Sequence, residues 1–202
     1  ARPLSELHRK IHLSEAQILT AEECDAAVRA ADAHAAKHGW ATARHAAYAT
    51  HDLPIAALAK GDARPKAESR VITDAVTTAV KVKLIPEMAA LFDLQADALS
   101  ILDLFIARYS VEPGGLAALE PHEDGSEFSF VLALNSLTEY AGGGTQFLAT
   151  GVVPHPVFRP DIGYATLFSG KNRHCGLPIT SGVRYILAGF LRYRPVAPEQ
   201  PI

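Results

Sequence analysis

The chain has 202 residues, 49 % hydrophobic and 20 % charged, enough apolar side chain for one core of ordinary size and too little polar excess for a disordered protein. Nineteen Lys and Arg against 22 Asp and Glu give a net charge of −3, with no basic run to follow a phosphate backbone, which excludes nucleic acid as the main partner. Apolar stretches such as Ile101 to Ala107 are broken by charge far short of the roughly 20 residues a membrane helix needs, so no membrane partner is expected. Two cysteines, Cys24 and Cys175, exclude a disulfide scaffold and a CxxC metal or redox motif. With no basic and apolar leader at the start of the chain and no NxS/T acceptor, a cytoplasmic location is favoured.

Residues 1–202 read as a single domain in two regimes, with 1–98 mainly helical support and covering segment and 99–193 the β core. Thr20 and Glu23 form a capping-box pair, and the alanine-rich run behind them predicts a helix over 21–38 that stops at Gly39. From Trp40 to Lys66 there is no sustained period, which predicts an irregular covering segment in which Thr50, His51 and Asp52 could line a substrate entrance and Trp40 joins the core. Val71, Ile72, Val76, Val80, Leu84 and Met88 recur at helical spacing, giving a second helix from Ser69 to about Leu91 that Pro86 kinks or interrupts.

After Ser100 the period becomes two. Strands are predicted over Ile101 to Tyr109, Phe128 to Asn135, Thr145 to Ala149, Gly163 to Phe168 and Val183 to Tyr193, with Gly142 to Gly144 as a tight turn rather than a phosphate loop. Short strands with frequent breakers predict a mainly β fold with N-terminal helices, a double-stranded β-helix or jelly roll.

Within that frame, His122 and Asp124 stand two apart in Pro121-His122-Glu123-Asp124-Gly125, a spacing that turns both side chains to one face of an extended chain. His174, 52 residues later, would complete two imidazoles and one carboxylate on one face of an octahedral metal, a set suited to Fe(II). Alone, the HxD triplet is equally a surface turn. Arg184, ten residues after His174 on the last strand, could reach the same barrel mouth and pair bidentately with a small dicarboxylate, or could be a surface arginine. Lys171, Asn172 and Arg173 fit a solvated turn or an anionic contact, and Cys175 fits a small packed residue.

The stretch from Ala107 to Phe190 resembles the catalytic domain of the Fe(II)- and 2-oxoglutarate-dependent dioxygenases, in particular the procollagen lysyl and prolyl hydroxylases. The resemblance runs through Arg108-Tyr109, Pro121-His122-Glu123-Asp124 with Ser126 and Phe128, Ala133-Leu134-Asn135, Tyr140 to Gly144 with Phe147-Leu148, and Gly170 to Ile186. Leu19 to Asp25 resembles the helix that opens the domain in that superfamily. The resemblance implies His122, Asp124 and His174 as iron ligands, Arg184 as partner of the distal carboxylate of 2-oxoglutarate, and Tyr109 and Asn135 as further cosubstrate contacts. Arg184, where prolyl 4-hydroxylases usually carry lysine, places the chain nearer the lysyl type, and the retained Asp124 implies hydroxylation rather than halogenation.

The implied activity is hydroxylation of a peptidyl lysine or proline coupled to decarboxylation of 2-oxoglutarate to succinate. Dioxygen would be the second cosubstrate and ascorbate a supporting reductant. A hydroxylase of a free amino acid or other small molecule is the alternative within the class. A metal-containing jelly-roll binding module without turnover is the alternative outside it. The sequence leaves the oligomeric state open.

Overall fold

The computed structural model describes residues 10–45, 48–58, 66–148 and 154–195. Residues 46–47 and 59–65 of the predicted covering segment, and Ala149 at the end of a predicted strand, lie outside them. Strand β1 (Ile11–Leu13) precedes α1 (Ala21–His38), and β2 (Asp52–Pro54) runs into the short α2 (Ile55–Leu58). A long helical stretch follows as α3 (Lys66–Ala79), a π-helical turn (Val80–Leu84) and α4 (Ile85–Phe92). The β region comprises β3 (Leu99–Ser110), β4 (Leu119–His122), β5 (Phe128–Ala133), β6 (Tyr140–Gly142) and β7 (Thr145–Phe147). It continues with β8 (Val157–Phe158), β9 (Ala165–Ser169), β10 (His174–Gly176) and β11 (Ile179–Tyr193).

Helix α1 has the predicted ends. The Thr20 hydroxyl accepts from the Glu23 amide while the Glu23 carboxylate accepts from the Thr20 amide, so two of the helix's free donors are satisfied, and Gly39 closes the other end at φ 78°. The second helix is not continuous α. Pro86 lies in the first turn of α4 and has no amide hydrogen to return to the preceding turn, and the ladder takes up the defect as the π turn over Val80–Leu84. The covering segment holds more order than its sequence predicts: Asp52–Pro54 pair with Phe105–Ala107 at the edge of the large sheet.

The strands form a seven-stranded sheet, β1-β9-β5-β11-β3-β2 with β6 also on β11, and a four-stranded sheet, β4-β10-β7-β8. Alternation along the long strands separates two apolar clusters. Leu104, Ile106, Leu132, Leu134, Leu187 and Leu191 point to the helices, where Cys24, Ala27, Val76, Val80, Met88 and Phe92 complete one core. Phe105, Ala107, Tyr109, Val131, Ile186 and Ala188 point the other way and meet Phe147 of the smaller sheet. Trp40 is half-buried against the helical core beside Tyr185, as predicted.

Candidate metal centre and its cavity

Strands β4 and β10 are antiparallel neighbours, and their register sets His122 directly opposite His174. Residues 52 apart in sequence thus become a cross-strand pair, with ring centroids 4.4 Å apart. Each ring is held from behind by a carbonyl two residues earlier: His122 Nδ1 lies 2.7 Å from the Glu120 oxygen, and His174 Nδ1 lies 2.8 Å from the Asn172 oxygen. A carbonyl only accepts, so Nδ1 carries a proton in both rings, and in the neutral ring Nε2 is the nitrogen with the lone pair. Both Nε2 atoms face Asp124, at 3.5 Å from Oδ1 for His122 and 3.8 Å from Oδ2 for His174. All three side chains are buried, and their donor atoms lie within 4.8 Å of one another.

Asp124 leaves the end of β4, and its amide donates to the Gly170 oxygen at 2.8 Å, while the Gly170 amide donates to the Glu127 oxygen at 3.0 Å. A Cβ at Gly170 would lie 2.3 Å from the Ser126 oxygen, so this close approach of two turns requires glycine. Burial works against the charge of Asp124, but the His122 and His174 rings facing it and a hydrogen bond with Ser129 outweigh burial and hold the carboxyl below its usual range. Burial pushes His174 down, helped by the neighbouring His122, which keeps it a neutral ligand. His122 is also opposed by burial, yet the Asp124 carboxylate and the Glu120 carbonyl hold it above its ordinary value.

The triad borders a cavity of about 320 Å³ between the two sheets. Arg184 also lines it from β11, directly opposite Tyr109 of β3. Arg184 is 3 % exposed, and among the described residues no carboxylate lies within ion-pair distance of it. Its guanidinium sits 5.5 Å from the centre of the Tyr109 ring, and its stem runs beside Gly143. Burial raises the Tyr109 pKa, partly countered by Arg184, so the phenol stays neutral and can donate a hydrogen bond.

Of the six expected site residues, His122, Asp124, His174, Arg184 and Tyr109 share this cavity and Asn135 does not. Its side-chain amide donates to the Val183 oxygen at 2.8 Å and accepts from the Tyr185 amide at 2.9 Å, which fixes the backbone on both sides of Arg184. The covering segment contributes His45, Tyr48 and Thr50, while His51 is not in the lining. Thr145, the first residue after the glycine turn, is a buried hydroxyl of the lining that the strand pattern alone did not single out. Cys175 is packed, with its thiol directed at Gln146, and Lys171 and Arg173 are exposed.

This fold is the one shared by 2-oxoglutarate- and Fe(II)-dependent oxygenases. Viral collagen prolyl hydroxylase from Paramecium bursaria Chlorella virus-1 superposes with a TM-score of 0.58 at 18 % identity, over 92 % of this chain and 96 % of that one. The epimerase SnoN from nogalamycin biosynthesis, in a complex with Fe3+ and alpha-ketoglutarate, superposes with a TM-score of 0.63 at 13 % identity, over 98 % and 90 %. In sequence, the chain is similar to procollagen-lysine,2-oxoglutarate 5-dioxygenase 1 of Mus musculus, 40 % identical over 90 residues. That match covers 43 % of this chain and 12 % of the mouse protein, so the chain corresponds to a small part of the relative's length. No protein-family model matches the chain.

Proposed function

We propose that the protein is an Fe(II)- and 2-oxoglutarate-dependent hydroxylase built on a double-stranded β-helix, with residues 99–193 as the catalytic core and the preceding helices as its support. The observation that carries this reading is one cavity holding both a buried pair of imidazoles facing a carboxylate and a buried arginine without a carboxylate partner among the described residues. Two neutral imidazoles and one carboxylate on one side of a point fit Fe(II) and leave positions for other ligands. An uncompensated buried cation is costly, and a dicarboxylate bound beside it removes that cost.

His122, Asp124 and His174 would hold the metal, with the Glu120 and Asn172 carbonyls fixing the two rings. Arg184 would clamp the distal carboxylate of 2-oxoglutarate, with the Tyr109 hydroxyl beside it. Iron, when bound, supplies dioxygen activation coupled to decarboxylation of 2-oxoglutarate and hydroxylation of a substrate C–H bond. The apolar walls from Phe105, Val131, Phe168 and Ile186 exclude water around these polar groups. The substrate we favour is a peptidyl lysine or proline, in line with the procollagen-lysine relative and the viral collagen prolyl hydroxylase fold.

The test is an anaerobic titration of the purified protein with Fe(II) and then 2-oxoglutarate, followed by visible charge-transfer absorption. The band is expected in the native protein and absent in His174→Ala. Iron binding without any band would overturn the 2-oxoglutarate reading and favour a metal-binding module. Lysine- and proline-containing peptides, assayed beside the free amino acids, then separate the two substrate classes by which of them gain one oxygen in mass.

A further inference from the structure

Three observations place a substrate-reading site at the end of the cavity away from Arg184. Arg184, Ile186, Ala188 and Phe190 follow one another along the same face of β11, so Phe190 lies roughly 20 Å from Arg184 at about 3.3 Å per residue. The triad is nearer the Phe190 end: Phe168 packs on His174 with centroids 4.8 Å apart, and Phe168 pairs with Ser129, which pairs with Phe190. A cosubstrate reaching from Arg184 to the triad therefore leaves the Phe105 and Phe190 end free.

The group that fills this end comes from the covering segment. His45 packs on Phe105 and Phe190, with centroids 4.8 and 5.9 Å away, and lines the cavity. Its Nε2 is buried without a hydrogen-bond partner and lies 3.8 Å from Asp52 Oδ2. Asp52 is fully buried and held on all sides. Its carboxylate accepts from Arg44 and Thr50, its backbone exchanges two hydrogen bonds with Ala41, and it pairs with Ala107 of β3. Arg44 is tied in turn to Asp103 at 2.5 Å. Ala41 and Asp52 thus pair with each other, and Asp52 ties this end of the covering segment to the large sheet beside His45. Tyr48, from the same segment, stacks on His122 at 4.9 Å.

We propose that His45 is a substrate-binding, specificity-determining residue and that Asp52 is its positioning residue. The inference rests on the hydroxylase reading above. Asp52 Oδ2, 3.8 Å from Nε2, favours a proton on that nitrogen, which leaves Nδ1 as the acceptor. The chemistry it would recognise is an N–H donor, a peptide amide or an amine, set between aromatic walls.

The test uses the iron-loaded protein with a pool of lysine- and proline-containing peptides and free lysine and proline. His45→Phe keeps a ring against Phe105 and Phe190 and removes only the nitrogens. For the best pool member, KM is expected to rise roughly tenfold or more, with kcat within about threefold. The affinity for 2-oxoglutarate, measured anaerobically, is expected to stay at the native value. Whether that member is a peptide or a free amino acid identifies the source of the N–H. Independently, 15N shifts of the metal-free protein should report the Nε2-protonated tautomer of His45, perturbed by Asp52→Asn and restored by no change in salt. Unchanged KM in His45→Phe, or an Nδ1-protonated ring, overturns the inference. Loss of 2-oxoglutarate binding in the native protein would instead overturn the hydroxylase reading.

Discussion

Arg184→Met separates a ligand clamp from a structural arginine, because the two roles predict opposite signs. Arg184 is 3 % exposed and has no carboxylate partner among the described residues. Methionine fills a similar volume with apolar atoms, and removing a buried charge in favour of a well-packed side chain is often neutral or stabilising by roughly 1–4 kcal/mol. The metal-free, ligand-free variant should therefore melt no lower than the native protein. Binding of 2-oxoglutarate should fall steeply, because truncating one partner of a buried charge pair costs about 2–5 kcal/mol, roughly 30-fold to several-thousand-fold in Kd.

Thermal denaturation in the presence of Mn(II), with and without 2-oxoglutarate, reads both effects in one experiment. At a ligand concentration about 100 times its Kd, the native protein gains about 2.7 kcal/mol, and the variant should lose from about two thirds to nearly all of that gain. A variant destabilised by more than about 2 kcal/mol without ligand, yet stabilised by 2-oxoglutarate as much as the native chain, would refute the clamp. Arg184 would then be a core residue with a partner supplied by the fold.

Asp124→Ala should preserve the fold while weakening Mn(II) binding in calorimetry by more than the roughly 10–100-fold typical of losing an outer partner, since it removes a ligand itself. Gly170→Ala forces a methyl against the Ser126 oxygen and should both cost roughly 1–3 kcal/mol in a urea melt and weaken metal binding through a displaced Asp124. Thr20→Ala removes a capping hydroxyl and should cost about 1 kcal/mol by the same melt with metal binding unchanged. The alkaline limb of stability should begin near pH 9. Burial, reinforced by Asp25 and Glu23, raises the Cys24 thiol from 9.0 to about 12, so the unfolded chain ionises there first while the folded chain does not. Stability is full below pH 9 and declines as pH rises toward 12, and Cys24→Ala should flatten that decline in urea midpoints taken at successive pH values.

Helix α1 was legible because its information is local: a cap, a propensity run and a stop lie within twenty residues of one another. The long strands were legible for a related reason, since each has one face to the helical core and one to the cavity and the alternation records it. The strands not foreseen, β1, β2, β6 and β8, have two or three residues each. Segments so short carry no measurable period, and pairing with a distant neighbour decides their conformation. The π turn was invisible in the same way, because Pro86 marks a defect without saying which neighbouring turn absorbs it.

The metal centre and the substrate end of the cavity differ in how they were written. His122 ends a short strand with Asp124 just beyond it, and His174 follows its own turn, so a resemblance across short motifs suffices to pick all three. Asn135 stands in a motif too, but it lies outside the cavity lining, and its side chain bonds the backbone at Val183 and Tyr185 on the strand that bears Arg184. His45 shows the converse. It lies in no motif, six residues from the more conspicuous His51, and it stands in the cavity lining against Phe105, Phe190 and the buried carboxylate of Asp52. Chemistry demanded of a metal fixes residue types at fixed spacing, whereas recognition of a substrate needs only that some polar atom stand in the right place. A chain can therefore display its reaction class in short words while its choice of substrate resides in a loop held by a single buried carboxylate.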